Sequence, residues 1–454
     1  MPVHSLATLF GDVSVDTLIV GALAFAAILG IRTWLGGRKC TWERDWAGKM
    51  ILVVAPPSPT IITLIDQLLQ LPSPPQILFL PPIPSPLPPD LLTVLHTIRL
   101  GVSKNPAAQL HCEPLPMTVE AVRDFTKKWG SAPAQMVGEA GRRVDAIVLG
   151  HGWEVELDPK ILKQVRNESN SKSKSKEWNT HQFQFHLLTA LLPSLLRAPA
   201  ERDIRIVNLI SPTWSAALPS LEGKNSRTDS VNLTGRRSIN TLLLMKHFQL
   251  VLDTLEAVAQ GKVKPVPAVN SSSSSDDNSQ AEGDDQSGKG KGTGPAEDAT
   301  VKKRDKNVKS NILAISVIMG WARQEVIKGS LVSSALSRLL WIILYPLILV
   351  FTPSSRSIVQ SILFALSAPV RKGTIDDTPR VAEDPSVSLD SIEQRRGGVA
   401  GGDVVRDCAV VDLPPVLSDP ALAKAVYDQL EKEVEQGVKA AQEKKEATEG
   451  KAHQ

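Results

Sequence analysis

The residues that first suggest chemistry follow an apolar run near residue 50. Lys49–Val54 (KMILVV) predicts a buried strand, which leads through the turn 55–61 (APPSPTI) into a helix. At this place in an α/β fold, a turn can hold a diphosphate with its backbone N–H groups, and it needs glycines for the close approach. This turn has no glycine, and each of its three prolines lacks an N–H group. The position therefore suits a phosphate-binding loop, but the residues do not.

The cysteines and the charge balance argue against other kinds of site. Cys40, Cys112 and Cys408 lie far apart and form no CxxC pair, which argues against a cysteine-based zinc site and for a reducing compartment. Basic residues barely exceed acidic ones, 51 against 48, whereas nucleic-acid-binding domains concentrate a basic excess. We therefore expect no bound metal and no nucleic-acid partner.

The elements that position the turn alternate along the chain. Strands are predicted at Lys49–Val54, Gln76–Leu80, Gln109–Cys112, Asp145–Leu149, Asp203–Ile210 and Ser310–Met319. Helices are predicted at Thr60–Leu71, Leu91–Leu100, Val119–Trp129, Gln182–Arg197 and Asn240–Ala259. This alternation is typical of βαβ units, so we expect a Rossmann-like doubly wound parallel sheet of about six or seven strands in a three-layer α/β/α fold.

An uncharged stretch near the N-terminus predicts a membrane anchor. Thr17–Ile31 holds fifteen uncharged residues and continues past Arg32 to Leu35, close to the length of about twenty that spans a bilayer. Asp12 and Asp16 precede it and four basic residues follow it, which predicts a cytosolic main domain. A cleaved signal peptide is the alternative, although the preceding residues lack its positive charge. The expected location is the endoplasmic reticulum or the mitochondrial outer membrane, with a single-pass anchor.

The expected organisation combines these elements with polar stretches. The predicted units are an N-terminal segment at 1–16, the transmembrane anchor at 17–35, the α/β domain at 45–370, and a tail at 371–454 with a charged helix at 420–445. Residues 265–308 are too polar to fold alone and predict a disordered insert, and residues 167–177 are a second polar insert. A later apolar run, residues 339–351, fits a lid, a membrane contact or a buried helix.

Several segments, in this order, resemble the short-chain dehydrogenase/reductase superfamily, above all its membrane-bound retinol-dehydrogenase-like members. They are RDWAGKMILVV (44–54), VDAIVLGHGW (144–153), FHLLTALLPSLL (185–196), RIVNLIS (205–211) and FTPSSRSIVQSILFALSAPV (351–370). The resemblance covers about residues 45–370, and a degenerate fungal branch of unknown function is the kind of member that it suggests.

The resemblance implies cofactor-binding positions, and the residues there depart from the family's pattern. The family's three phosphate-binding glycines fall on Ala55, Pro59 and Ile61, and only Gly152 remains of its Asn-Asn-Ala-Gly loop. Glu113 falls where the family has an acid near the adenine, and a solvated loop glutamate is the alternative interpretation.

The resemblance also implies catalytic positions. The family's asparagine falls near His181, its serine is kept as Ser211, and its Tyr-x-x-x-Lys pair falls on Leu242 and Lys246. That chemistry needs a tyrosine with a lysine four residues later to lower its pKa. The chain has two tyrosines, and neither has such a lysine. The alternative interpretations are that Ser211 is an ordinary serine at a strand end, that Lys246 lies on a helix surface, and that His181 has a structural role.

Three functions fit these residues. The first is a catalytically inactive module at a cytosolic membrane face that contacts membrane lipids, binds a lipid-like ligand or a protein partner, and holds no cofactor. The second is an NAD(P)-dependent oxidoreductase of lipid or steroid-like carbonyls that uses Ser211 and Lys246. The third is a scaffold that recruits partners through its tails and through Pro81–Pro89 (PPIPSPLPP), whose P-x-x-P spacing is typical of SH3 and WW ligands. A rigid loop is the alternative for that run.

Overall fold

The structure is a computed structural model that describes residues 15–35, 37–103, 105–130, 143–151, 178–197, 202–221, 230–261, 309–323, 352–371 and 397–452. Gly152, both polar inserts and the apolar run 339–351 lie outside these residues. The chain divides into two compact units, Met1–Val251 with Asn311–Gln454, and Leu252–Ser310. Within the second unit, the backbone N–H of Ser310 donates to Oδ1 of Asp253 at 2.9 Å.

Helices and strands alternate through the first half of the chain, as the sequence predicts. In chain order the elements are α1 Val15–Leu35, β1 Met50–Val54, α2 Pro59–Leu69, β2 Gln76–Leu80, α3 Pro89–Gly101, β3 Gln109–Cys112, α4 Val119–Gly130, β4 Ala146–Leu149, α5 Thr180–Leu195, β5 Ile204–Ile210, α6 Trp214–Leu221, α7 Ser230–Ala259, β6 Ile312–Ile318, α8 Ser355–Ser367, β7 Val404–Arg406, β8 Ala409–Val410, a 3₁₀ turn Pro415–Ser418, and α9 Pro420–Ala452.

The strands form one sheet in the order β3-β2-β1-β4-β5-β6-β7-β8. The pairs from β3 through β7 are parallel, and β8 runs antiparallel to β7. Val54 pairs with both Leu80 and Leu149, so the carboxyl ends of β1, β2 and β4 meet at one edge. The chain winds outward in both directions from β1, which is the doubly wound arrangement. The prediction of a Rossmann-like α/β fold is confirmed.

Helices cover both faces of the sheet because the strands are apolar on both sides. Ile51 and Val53 of β1 face a core built with α2, α3 and α8. Ile210 of β5 and Ile318 of β6 lie in a second apolar cluster with α6, α7 and the start of α9. The sheet therefore fixes the place of every loop that leaves its carboxyl edge.

The sheet continues into residues that the sequence assigns to a tail, because β7 and β8 lie within 404–410. Gln249 of α7 supports this edge: its Oε1 accepts from the Ala314 N–H at 2.7 Å, and its Nε2 donates to the Ile312 carbonyl at 3.3 Å. A side chain at Gly401 would overlap Gln249. The side-chain amide thus takes the place of a strand's peptide group beside β6, and the tail contributes to the fold.

The predicted membrane segment forms α1, a helix of 21 residues. Among the residues that the structure describes, however, none of the helices is long and apolar enough to cross a membrane. The prediction of a transmembrane helix at 17–35 is therefore not supported. The helix contains Asp16 and Arg32, which leave fifteen uncharged residues between them, fewer than the roughly twenty that a span needs.

Candidate functional site

The turn after β1 satisfies its own polar groups. Ser58 caps α2: its Oγ accepts from the Ile61 N–H at 3.3 Å, and its own N–H donates to the Pro56 carbonyl at 2.8 Å. Pro59 occupies the start of the helix, where its missing N–H and fixed φ are tolerated. The sequence folds here as a capped helix start, because serine and proline favour those two positions. Few donors therefore remain for a bound diphosphate.

The space beside this turn is filled by core side chains. Ala55 and Ile61, at two of the three positions implied to bind a cofactor, are fully buried. A Cβ built on Gly150, at the end of β4, would lie 2.6 Å from the Ala55 Cβ and 3.2 Å from Ile61 Cδ1. The backbone of Gly150 thus packs directly on the two side chains. The residues present do not fit a pyrophosphate group.

The kept serine is part of an internal hydroxyl cluster. Ser211 is fully buried at the end of β5. Its N–H donates to Oγ of Ser238 at 3.0 Å, and its Oγ lies 2.9 Å from Oγ1 of Thr213. These bonds tie the end of β5 to α7, so a structural role accounts for them.

The implied Tyr-x-x-x-Lys positions face different surroundings. Leu242 is 2% exposed and packs among Ile210, Ile239 and Leu417. Nζ of Lys246 donates to the Leu417 carbonyl at 3.1 Å. Burial lowers the pKa of Lys246, and Asp403 partly opposes that change. The lysine is therefore held by the C-terminal segment, whereas the hydrogen bonds of the kept serine lead to α7 and the loop after β5.

Two histidines, His151 and His181, are held as neutral rings, the first buried and the second half-buried. Burial lowers the pKa of His151 to about 4, partly opposed by the Val54 backbone, and its ring lies 5.0 Å from that of Phe183. Burial also lowers the pKa of His181, with Glu433 opposing the change. Within the described ranges, no group of three His, Cys, Asp or Glu side chains could hold a metal ion.

Two buried amides are not among the residues that the sequence predicts for the site. Asn208 on β5 and Gln184 on α5 are fully buried, and neither side chain meets a hydrogen-bond partner among the described residues. Asn208 interrupts the apolar run of its strand, which was the available indication in the sequence. Buried amides of this kind are unusual and add polar character to the interior between sheet and helices.

A cavity of about 460 Å³ lies over the first three strands, on the face opposite α2. Its apolar lining includes Met50, Leu78 and Trp129, and its polar lining is Gln76, His111 and Glu113. Burial raises the pKa of Cys112, which also lines it, to about 11, so that thiol is protonated at neutral pH.

Glu113, the position implied to lie near an adenine, contributes to this cavity rather than to the turn after β1. Its Oε1 forms an ion pair with Nζ of Lys128 at 3.1 Å, and both side chains are well exposed. Such an exposed pair contributes little to stability. The carboxylate is therefore available at the cavity's rim.

The Pro-rich run forms a surface loop between β2 and α3. Pro81 is buried, and its carbonyl accepts the N–H groups of Ile83 and Leu115, both at 2.8 Å. The remaining prolines toward the helix are largely exposed, namely Pro84, Pro86, Pro88 and Pro89. The loop thus has one fixed end and one accessible stretch.

These features define a doubly wound α/β fold whose carboxyl edge is filled by side chains beside β1. No family model matches the chain, and no curated protein matches it. The solved structures that it resembles include short-chain dehydrogenases/reductases. A putative short-chain dehydrogenase from Pseudomonas syringae is 13% identical, with 73% of this chain and 94% of that chain covered and a TM-score of 0.38.

Two further solved structures carry NADPH. L-sorbose reductase from Gluconobacter frateurii, in complex with NADPH and L-sorbose, is 10% identical, covers 71% of this chain and 92% of its own, and has a TM-score of 0.37. A putative short-chain dehydrogenase from Escherichia coli CFT073, with NADPH, is 10% identical, covers 69% and 97%, and has a TM-score of 0.34. At these values the assignment of the fold rests on the strand order, and the likeness assigns no activity.

Proposed function

We propose that this protein is a non-catalytic binding module, attached to a membrane, that takes a lipid-like ligand and holds no nicotinamide cofactor. One observation carries the proposal: Gly150 packs directly on the buried Ala55 and Ile61 side chains, where a diphosphate would have to sit. The turn's prolines and the Ser58 cap support it, because they remove or occupy the N–H groups that bind phosphate.

The implied catalytic positions support the same conclusion. An alkyl side chain at Leu242 cannot transfer a proton, and Lys246 donates to a backbone carbonyl instead of acting on a phenol. Ser211 has its hydroxyl engaged inside the protein. No residue of this set combines access to a ligand with an ability to donate or accept a proton.

The cavity over β1–β3 is the place where we expect the ligand. Its volume of about 460 Å³ lies within the roughly 300–1,000 Å³ of small-molecule sites. Met50, Leu78 and Trp129 offer an apolar surface to a hydrocarbon or ring system. The Glu113 carboxylate and the Gln76 amide can accept hydrogen bonds from a hydroxyl or amine. An amphipathic lipid-like molecule matches this lining, because its apolar part can contact the first group of residues and its polar part the second.

The membrane attachment rests on α1. Ile19, Val20, Leu23 and Leu29 are 44–65% exposed along this helix, and burying such side chains in a lipid surface is favourable. The endoplasmic reticulum and the mitochondrial outer membrane are the proposed locations, with the α/β domain in the cytosol. Vesicle flotation of the full chain tests the attachment, and an Ile19→Ser/Leu23→Ser variant that floats as well as the unchanged protein would contradict it.

A titration with NADPH distinguishes a non-catalytic binding module from an oxidoreductase. We expect no saturable fluorescence change up to millimolar NADPH, because side chains fill the space beside the turn after β1 where the diphosphate would bind. Saturation in the micromolar range would favour the alternative of an NAD(P)-dependent oxidoreductase of lipid-like carbonyls, for which the fold is suitable.

A dansyl-labelled fatty acid tests the cavity. Leu78→Phe adds volume to the cavity floor, whereas Leu110→Phe makes the same change on the opposite face of the sheet, in the core. We expect the dissociation constant to rise by about ten-fold or more for Leu78→Phe, the equivalent of one good apolar contact. It should stay unchanged for Leu110→Phe. An equal effect of both variants would place the ligand elsewhere.

The exposed prolines support a second candidate, a scaffold that binds SH3- or WW-type domains. Replacing Pro84 and Pro86 by alanine keeps the bond between the Pro81 carbonyl and the Leu115 N–H, and so leaves the loop's fixed end intact. Loss of proline-dependent partners in a pull-down would support the scaffold, and an unchanged set would count against it.

A further inference from the structure

The C-terminal helix α9 packs on α4 and α5 and also contacts α7. The Tyr427 ring lies 5.0 Å from the Phe185 ring of α5 and 4.7 Å from the His247 ring of α7. Nε2 of Gln182 donates to Oε2 of Glu433 at 2.7 Å. A Cβ on Gly437 would lie 3.3 Å from the indole of Trp178. One stretch of α9, residues 427–437, therefore lies directly on α5 and α7.

The segment before this stretch is attached through an apolar cluster. Leu417 and Ala423 are 0% and 2% exposed and belong to an apolar cluster with Leu242 and Ile239. Lys246 binds the Leu417 carbonyl. The start of α9 thus has an apolar attachment. Residues 427–437 bury Leu430 and Val434, which are 3% and 6% exposed, and add the ring contacts and polar groups described above.

Two histidines line that second stretch. His181 of α5 lies near Glu433 of α9 and Arg237 of α7. His247 of α7 lies near Asp428 and Lys424 of α9 and against the Tyr427 ring. The Nδ1 atom of each histidine is buried without a hydrogen-bond partner among the described residues. Burial is the largest influence on both pKa values and lowers them, so the contact favours neutral rings.

We infer that residues 427–437 of α9 form an acid-released cover on α5 and α7, opened by protonation of His181 and His247. A protonated ring must be hydrated or paired, and the covered position offers neither in full. Glu433, the nearest acid to His181, already accepts from Gln182 at 2.7 Å and from Gln429 at 2.9 Å. Near His247, Lys424 opposes the charge that Asp428 would favour.

The closed cover becomes less stable as pH falls below the ordinary histidine pKa. Above the ordinary histidine pKa of 6.5, both rings are neutral whether the cover is closed or open, so pH has no effect. Below it the open state binds protons that the closed state resists, and the closed state becomes less stable as pH falls. One unit below 6.5, each histidine can raise the open fraction by up to about ten-fold.

Hydrogen–deuterium exchange of the full chain tests this inference. Exchange of residues 427–437 is compared at about pH 7.5 and about pH 5.5, after correction for the intrinsic pH dependence of amide exchange. We expect protection of this stretch to fall by about ten-fold or more at the lower pH. Protection of β1, β4 and β5 reports global unfolding and should stay well above that of residues 427–437 at both pH values.

The variants compare half-buried histidines under α9 with an exposed one. In His181→Gln/His247→Gln the loss of protection at low pH should disappear, whereas His96→Gln, at an exposed position, should behave like the unchanged chain. If the first variant does not fold, the imidazole titrations of the unchanged chain by NMR decide the matter. Values at or above 6.5 for both histidines, or protection that ignores pH, would overturn the inference.

Discussion

The two ends of the parallel sheet hold opposite kinds of residue. At the carboxyl end of β1, where α/β folds bind ligands, buried Ala55 and Ile61 pack on Gly150. At the amino end, charged side chains meet: Arg205 binds Asp203 at 2.7 Å, and Nε of Arg202 binds Asp145 at 2.6 Å. The organised polar groups therefore lie away from the expected ligand edge.

The amino-end network holds the linker that precedes the sheet. Arg44 donates to the backbone carbonyls of Asp203 and Leu366, at 2.7 and 3.2 Å, and its guanidinium lies 4.7 Å from the Trp46 ring centre. Asp145 accepts the Met50 N–H at 2.9 Å. This chain therefore uses charge to fix its strands at the amino end, and it uses apolar packing at the carboxyl edge where α/β folds bind ligands.

The largest expected effect lies at the amino end. Arg205 is 2% exposed and also donates to the Ala365 carbonyl. We expect Arg205→Leu to lower the free energy of unfolding by about 3 kcal/mol, because it removes a buried guanidinium together with its hydrogen bonds to the Asp203 carboxylate and the Ala365 carbonyl. Arg406→Leu removes an exposed pair and should change that free energy by less than about 0.5 kcal/mol. Equal losses of unfolding free energy for the two variants in urea denaturation would show that the network at the amino end contributes no more than an exposed pair.

The second largest effect on stability is expected from acidification, which acts through His151 at the carboxyl end of the sheet. The pKa of His151 is about 4 in the folded protein and 6.5 ordinarily. Below 6.5 the unfolded chain takes up a proton that the folded chain resists, so stability is full above 6.5 and falls until about 4. Between about pH 7 and 5, the unchanged protein should lose about 2 kcal/mol more than His151→Leu.

Denaturation at both pH values checks this expectation, with His111→Leu as the exposed control. A His151→Leu variant with the same pH dependence as the unchanged protein would show that the ring is already protonated or solvated in the fold.

Gly150→Ala should cost about 2 kcal/mol, since its new Cβ would overlap Ala55. The compensating Ala55→Gly/Gly150→Ala variant should recover much of that loss, because the displaced methyl group is then absent. Gly101→Ala, which has open space, should raise stability by up to about 1 kcal/mol. Without recovery in the double variant, the two positions would not be in direct contact, and the closed edge would be in doubt.

The smallest effect is expected at Ser58. Ser58→Ala removes the cap of α2 and should lower the free energy of unfolding by about 1 kcal/mol, whereas Ser58→Asn should retain most of it. Ser354, which caps α8 in the same way, provides the matched Ser354→Ala control. If Ser58→Ala leaves the free energy of unfolding unchanged while Ser354→Ala lowers it, the Ser58 hydroxyl does not stabilise α2 as a cap.

Six strands could be predicted from the sequence, because each is an apolar run bounded by polar or turn residues. Gln76–Leu80 and Gln109–Cys112 form within the predicted bounds. β7 and β8 could not be predicted, since three and two residues carry no periodic pattern. Their pairing depends on β6 and on Gln249, which come from elsewhere in the chain.

The features of the candidate site also divide into those that the sequence predicts and those that only the structure shows. Missing glycines and the absent Tyr-x-x-x-Lys pair are visible in the sequence alone. The contact of Gly150 with Ala55 is not, because the two residues lie on different strands and meet only when β1 and β4 pair. The cavity beside Glu113 and the burial of Leu242 likewise require the packed helices.

Residue types along single stretches of the chain are enough to predict the alternation of strands and helices and the absence of the Tyr-x-x-x-Lys pair. Which side chains fill the carboxyl edge beside β1, and which group accepts from Lys246, depends on how distant segments pack. The same packing decides which histidines lie under the C-terminal helix. Those outcomes depend on contacts between distant segments, and packing in three dimensions selects them.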